Sequence, residues 1–371
     1  MARVLVVNAG SSTVKLGLIG QRDETLGSCE LAAPRARVDP AELAAALDRG
    51  LGDAEAVGHR IVHGGERFRD AVRIDGEVEA ALRELSELAP LHQEKSLAAL
   101  DAVSAALPHL PAVACFDTAF HADMPAAART YALPATWRER WPIRRYGFHG
   151  LSHAWAAKRA PELLGADPAA LRIVSCHLGA GASLCAIAGG RSIATTMGFT
   201  PLEGLVMATR SGSVDPGLLV WLLERSGMST AQLSHALEHE SGLLGLAGTA
   251  DMREVLDRRE AGDAAASLAL AVYLERLRAG IGAMATTLAG LDVLVFTGGV
   301  GERSGAIRAH ATAGLDFMGI AISPTLNDAV DGDAEISAEG ARVRTIVIHA
   351  REDLEIATQT RAVLGAARGG P

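Results

Sequence analysis

"RVLVVNAGSSTVKLGLI" (residues 3–19) can be laid over "RIVSCHLGAGASLCAIA" (172–188). Each stretch is an apolar strand, one polar residue (Asn8, His177), a glycine with small residues, and a second apolar strand. One copy alone needs nothing more than a β-hairpin turn. Two copies 169 residues apart predict a duplicated domain, each half offering a Gly/Ser turn to a shared cleft.

The pattern around these copies is that of an α/β protein. Val4–Val7, Val57–Val62, Ala112–Phe116, Leu171–Cys176, Val293–Phe296 and Val343–His349 are short apolar runs, read as strands mostly buried on both faces. Helix-period segments lie between them. Val78, Leu82, Leu85 and Leu88 share one face, and Leu270, Leu274, Leu277, Ile281, Met284 and Leu288 form a longer stripe. Strands interleaved with helices over 371 residues predict α/β architecture in two domains, with a boundary between Trp141 and Ala157.

Composition narrows the function classes. With 49% hydrophobic and 21% charged residues the chain has the make-up of a compact globular protein. A net charge of −9 argues against an extended nucleic-acid surface, so any anion must be held by a local group of cations. No apolar run reaches about 18 residues and the N-terminus lacks a signal-peptide pattern, so neither a membrane span nor secretion is expected. Cys29, Cys115, Cys176 and Cys185 form no CxxC pair, as expected of reduced thiols in a cytoplasmic protein. Three of the 35 cations are lysines, which makes Lys15, beside the first glycine turn, distinctive.

A third glycine turn, "VFTGGVGERSGAIR" (295–308), follows a strand and leads into a helix. Ser304 stands where a dinucleotide fingerprint needs its third small residue, and no P-loop spacing occurs. Three glycine turns after three strands fit a nucleotide whose phosphates meet backbone amides. "GHRIVHGGERF" (58–68) sets Arg60 inside an apolar strand; it is an ion-paired or outward-facing arginine, or one that holds an anion. His59 and His63 flank it, and the glycines there argue against a helix aligning them on a metal. Asp117 lies just past a buried strand, where ligands of α/β sheets gather. Arg210, Phe148, His149 and Glu352, a candidate Mg²⁺ carboxylate, complete the set.

Taken in order, these stretches closely resemble the acetate kinase family, the acetate/propionate kinases. The likeness runs through "VNAGSST" (7–13), "GHRIVHGGE" (58–66), "LAPLH" (88–92), "FDTAFH" (116–121), "RRYGFHG" (144–150) and "CHLGAGAS" (176–183). It continues in "MGFTPLEGL" (197–205), "TRSG" (209–212), "SGLLG" (241–245), "DMR" (251–253), "FTGGVGE" (296–302) and Glu352.

The resemblance implies a duplicated two-lobed fold of the actin-like, sugar-kinase-like ATPase type with a nucleotide cleft between lobes. The expected lobes are 1–148, rejoined by a C-terminal helix at about 353–367, and 149–352. It implies reversible transfer of the γ-phosphoryl of ATP to acetate or propionate, giving an acyl phosphate and ADP, with Mg²⁺, or Mn²⁺ in its place. It also implies a cytoplasmic homodimer with small-molecule substrates and no nucleic-acid or membrane partner.

By motif, Asn8 and Glu352 would serve the metal, and Ser11, Ser12 and Lys15 the phosphates. His177, Leu178, Gly179, Ala180, Gly181, Asp251, Met252, Arg253, Gly299, Val300, Gly301, Glu302 and Arg303 would line the nucleotide. Arg60 and Arg210 would grip the acid and the transferring group, His149 would stabilise the transition state, and Asp117 is the family's acid/base. Val62, Leu91, Phe148 and Pro201 would enclose the acyl methyl. A carboxylate needs no base at neutral pH, so Asp117 is read instead as orienting Arg60 or a metal-bound water. Ala180 and Arg303 stand where the family has asparagine, which opens the alternative of another donor such as pyrophosphate. A non-catalytic nucleotide-binding scaffold is the reading from a different class.

Overall fold

The structure, a computed structural model, describes residues 2–10, 13–33, 38–85 and 90–366, with residues 90–92 described in backbone only. Twelve strands are present among them: β1 (Val4–Ala9), β2 (Thr13–Ile19), β3 (Thr25–Ala32), β4 (Ala56–Ile61), β5 (Val72–Arg73), β6 (Ala112–Phe116), β7 (Arg172–Leu178), β8 (Ala182–Ala188), β9 (Arg191–Thr195), β10 (Val293–Thr297), β11 (Ala334–Glu335) and β12 (Arg344–Val347). They make two six-stranded sheets, ordered β3-β2-β1-β4-β6-β5 and β9-β8-β7-β10-β12-β11.

The two orders are the same topology twice. In the first sheet β1, β4 and β6 are parallel, β2 and β3 run antiparallel beside β1, and β5 closes the far edge antiparallel to β6. In the second, β7, β10 and β12 are parallel, β8 and β9 are the antiparallel pair, and β11 closes the edge. The sequence echo falls on the two leading hairpins: Asn8 stands opposite Lys15, and His177 opposite Ser183.

The chain divides into two compact units. The first holds residues 1–122, 149–155 and 351–371; the second holds 123–148 and 156–350. The C-terminal helix Glu352–Ala366 belongs to the first unit, and residues 123–148 pack with the second rather than extending the first to 148.

Alternation along β1 shows how the first core is built. Leu5 and Val7 join a cluster with Leu43, Ala46, Ala99 and Val103 on one face, while Val4 and Val6 meet Leu354, Ile356 and Ala357 on the other. Both faces are covered, which is why the strand reads as an unbroken apolar run. On β4, a Cβ at Gly58 would come within 2.5 Å of Thr360 Oγ1 and 2.7 Å of Ile356 Cγ2, so only glycine lets the C-terminal helix lie this close. In the second unit the helix Ala264–Thr287 buries Leu270, Leu274, Leu277, Ile281 and Met284, the predicted stripe, and Asp263 caps it through the amides of Ala265 and Ala266.

Candidate active site

Two sets of predicted residues are gathered, one in each unit. In the first, β4 carries Arg60 and β6 delivers Asp117 one residue past its end, where Asp117 N donates to Ile61 O at 3.0 Å. Arg60 clasps Asp117 as a fork, Nε to Oδ1 at 3.1 Å and Nη2 to Oδ2 at 2.5 Å. Its Nη1 donates to Asn8 Oδ1 at 3.2 Å and to Ala9 O at 3.4 Å. Glu352, first residue of the C-terminal helix, lies 3.9 Å from Arg60 Nε and accepts from Asn8 Nδ2 at 3.1 Å. Asn8, Arg60, Asp117 and Glu352, up to 344 residues apart in sequence, thus form one hydrogen-bonded cluster.

The electrostatics follow from burial. Desolvation lifts the Asp117 carboxyl to about 6; Arg60 pulls it down, and the neighbouring Glu352 pushes it further up. Desolvation also disfavours the Arg60 charge, but the two carboxylates more than offset it and hold the guanidinium charged. His59, on the strand face opposite Arg60, is buried with neither ring nitrogen partnered by any described residue, and desolvation holds its pKa down at about 4. Oxygen donors from an amide and a carboxylate suit a hard divalent cation. Among the described residues no group of three or more His, Cys, Asp or Glu side chains is placed to hold a metal, so Asn8 and Glu352 could supply only part of a coordination shell.

His149 has φ 56°, a left-handed conformation uncommon for a side-chain-bearing residue. Gly150 after it donates its amide to Asp117 O at 2.9 Å, and a Cβ there would collide with that same carbonyl. Val62 is buried just past β4. Lys15 is exposed on β2 opposite Asn8. Ser11, Ser12 and the Leu91 side chain lie outside the described residues.

In the second unit Arg210 is four-fifths covered, with Nη1 donating to Pro201 O at 3.3 Å and Nε 3.8 Å from Glu238. Burial lowers its pKa, opposed by Glu238. Gly242, at φ 64°, lets the 207–210 turn approach, since a Cβ there would meet Arg210 O at 2.7 Å. Phe148 is buried in this unit, and the loop bearing Pro201 is clamped by residues the sequence reading missed. Arg145 donates to the carbonyls of Thr196 and Met197 and pairs with Glu203. Tyr131 Oη donates to Glu203 at 2.5 Å and accepts from Phe199 N at 2.9 Å.

A cavity of about 560 Å³ opens in the same unit. Gly179, Ala180, Asp251, Met252, Arg253, Gly299, Val300 and Arg303 line it with Leu243 and Ser304, joined by Ala208, Ala250, Leu256 and Tyr273, which the motifs had not picked out. His177, Leu178, Gly181, Gly301 and Glu302, expected with them, are not among the lining residues. Gly298, at φ 76°, would place a Cβ 2.8 Å from Leu178 O, so glycine there lets the two turns abut. Glu302 accepts from Ala350 N at 2.9 Å. Buried Arg308 fixes the turn from beneath, donating to Gly301 O (2.9 Å), Glu302 O (2.7 Å) and both oxygens of Asn327 (2.8 Å each). Asp251 caps the helix Met252–Glu260 and grips Arg253 with both oxygens, which holds its carboxyl down at about 2.

Two sheets of one topology, a clustered Asn–Arg–Asp–Glu set and a glycine-walled cavity define a duplicated α/β protein built as two compact units. The chain belongs to the Acetokinase family, whose model matches residues 40–358. It is 48% identical to an acetate kinase of Gloeobacter violaceus over 91% of this chain and 80% of that one. To an acetate kinase of Shouchella clausii it is 41% identical, over 97% and 99%. Among solved structures, Porphyromonas gingivalis acetate kinase superimposes with TM-score 0.90 at 36% identity, covering 98% of this chain and all of that one. A propionate kinase from Francisella tularensis does so with TM-score 0.90 at 32% identity, with the same coverage. Family membership makes the chain a kinase, a phosphoryl-transfer enzyme with a short-chain carboxylate as acceptor. No helix among the described residues is long and apolar enough to cross a membrane.

Proposed function

We propose that this enzyme moves the γ-phosphoryl group of ATP reversibly to acetate, and to propionate as a second acceptor, giving the acyl phosphate and ADP in the cytoplasm. The observation that carries the reading is Arg60, a part-buried guanidinium held in a fork by Asp117 and backed by Asn8 and Glu352. A cation fixed this way is oriented before any substrate arrives, which is what a reaction between two anions requires.

The acceptor is ionised at neutral pH, so no group need remove a proton from it. Asp117 therefore works as the orienting partner of Arg60. Arg210 offers a planar fork to an oxyanion and Arg60, whose own fork is taken by Asp117, a fixed positive charge, with His149 as a further donor to charge on the transferring group. Val62, Phe148, Pro201 and Leu91 are the residues that the family likeness assigns to the acyl methyl. One added methylene changes binding by only about 1–3 kcal/mol, so propionate is accepted beside acetate. Asn8 and Glu352 would hold Mg²⁺, or Mn²⁺ in its place, which when bound neutralises phosphate charge. Ser11, Ser12 and Lys15 would contact phosphate oxygens.

The cavity beside Gly179 and Gly299 supports a nucleotide donor, because pyrophosphate would have no use for its apolar walls. We also infer a homodimer, since the helix Pro216–Arg225 is apolar through Leu218–Leu223 yet has no buried residue. The test is acyl-hydroxamate formation from acetate, ATP and hydroxylamine. Arg60→Ala and Arg210→Ala should each lower turnover about 10²–10³-fold or more. Full turnover in either variant would overturn its assignment.

A further inference from the structure

Glu203 of "MGFTPLEGL" (197–205) and Arg145 of "RRYGFHG" (144–150) are charged residues that the fold half-buries against each other. Arg145 pairs with Glu203 Oε1, and its Nη1 donates to the carbonyls of Thr196 and Met197, both at 2.9 Å. Tyr131 Oη donates to Glu203 Oε2 at 2.5 Å and accepts from Phe199 N at 2.9 Å. The Arg145 guanidinium also lies 5.4 Å from the centre of the Tyr131 ring. One carboxylate thus holds two side chains of the 123–148 segment, and these in turn hold backbone groups of the loop 196–204. Backbone bonds add to the attachment: the amides of Tyr146 and Gly147 donate to Gly198 O at 3.1 and 3.2 Å. The fit is close. A Cβ at Gly198 would collide with both Glu203 Oε2 and Tyr131 Oη, so only glycine lets the loop fold onto the carboxylate.

The same loop touches Arg210. Pro201 O accepts from Arg210 Nη1 at 3.3 Å, and that nitrogen lies 3.5 Å from Met207 Sδ. Glu238 stands 3.8 Å from Arg210 Nε, beyond hydrogen-bond distance. Among the described residues, the Pro201 carbonyl is therefore the one oxygen hydrogen-bonded to this guanidinium. Moving the loop moves that carbonyl, and the fork of Arg210 turns with it. A misplacement of about 1 Å in such a group can cost about 10²-fold in rate.

We propose that Glu203 is a positioning residue: through Arg145 and Tyr131 it fixes the 196–204 loop, whose Pro201 carbonyl aims Arg210 at the acceptor acid. This rests on the kinase reading above and on Arg210 serving the acceptor. The part played by Glu203 is geometric, and the reaction gains no chemical step.

The experiment measures acyl-hydroxamate formation by Glu203→Gln and Tyr131→Phe, each alone and each combined with Arg210→Ala. Glutamine keeps the side-chain shape but loses the charge that pairs with Arg145; phenylalanine keeps the ring and removes both hydroxyl bonds. Each single variant should raise the KM for acetate about 10-fold or more and leave the KM for ATP within about twofold. In the Arg210→Ala background the same substitutions should change kcat/KM for acetate by less than about twofold, because the group they aim is gone. Losses that multiply in full in that background would show that Glu203 acts apart from Arg210 and would overturn the proposal. So would equal rises in both KM values, the mark of a general structural defect. If Glu203→Gln does not fold, Tyr131→Phe decides by the same comparison. If wild type gives no hydroxamate, the kinase reading fails separately. Hydrogen exchange then decides the clamp: amides in 196–204 should exchange about 10-fold or more faster in Tyr131→Phe, and unchanged rates refute it.

Discussion

Asp117 and Arg60 hold each other in ionised form at a cost, because both are taken out of water. The sign of that cost can be read against pH in the metal-free protein. The native carboxyl titrates at about 6, whereas an unfolded aspartate does so near about 3.9. Between those values the native state holds a proton that the unfolded chain has released, so stability contributed by Asp117 falls as pH rises. His59 and His63 act in the opposite sense. Burial holds both near about 4, below the ordinary histidine value of about 6.5, so their contribution grows as pH rises through the same window. Two groups outweigh one, and the wild type loses stability on acidification. Asp117→Asn lacks the opposing group and should lose it more steeply, by up to about 1.4 kcal/mol per pH unit. Urea denaturation from pH 4 to 6 measures this, and parallel slopes would remove Asp117 as the titrating group. The sequence supplied Arg60 as a cation inside an apolar strand but left open whether it faced an ion pair or an anion. It could not name Asn8 and Glu352 as hydrogen-bonded neighbours, since a contact spanning 344 residues leaves no local pattern.

At the level of elements, the strands legible in the sequence are those buried on both faces. Ala112–Phe116 is recovered as β6 residue for residue, and Val4–Val7 and Val293–Phe296 fall inside β1 and β10. The repeated strand–Gly–strand pattern foretold the two matching hairpins because register and turn chemistry are local. Residues 123–148 were not legible. Their short helices Ala126–Arg129 and Ala135–Arg140 bury no residue, so no apolar period marks which unit they join. Arg308 was equally silent: its partners are mostly backbone carbonyls, which have no signature in side chains. It nonetheless suspends the turn that bears Gly299, Val300 and Arg303. Arg308→Met should strand the Gly301, Glu302 and Asn327 oxygens in a dry site and cost about 3 kcal/mol or more. Denaturant titration checks the stability loss, and nucleotide KM should rise more than kcat falls, because the cavity wall moves while the Arg60 cluster is untouched. A stability loss without any change in KM would show that Arg308 supports the fold alone.

Among the described residues, the helix Pro216–Arg225 is apolar through Leu218–Leu223 yet buries none of them. Along the helix Pro216–Arg225, Leu218 is 45% exposed, Val220 56% and Trp221 55%. A helix apolar nearly all round is ordinarily a buried one, and in the proposed homodimer a second copy would bury it. Twofold assembly uses the same patch on both subunits, so one substitution is felt twice. Buried tryptophans at such interfaces each contribute about 2 kcal/mol or more. Trp221→Glu should therefore weaken self-association by about 10³-fold or more while sparing the fold, because the side chain is exposed in a single chain. A control separates this surface from general hydrophobic adhesion. Trp137, on the helix Ala135–Arg140, is 49% exposed, and Trp137→Glu should leave the assembly unchanged. Sedimentation velocity across a micromolar concentration series reads both. A dimer that survives Trp221→Glu, or one that Trp137→Glu dissolves instead, would place the interface elsewhere. Monomeric Trp221→Glu that still forms hydroxamate would further show that each chain carries its catalytic residues complete.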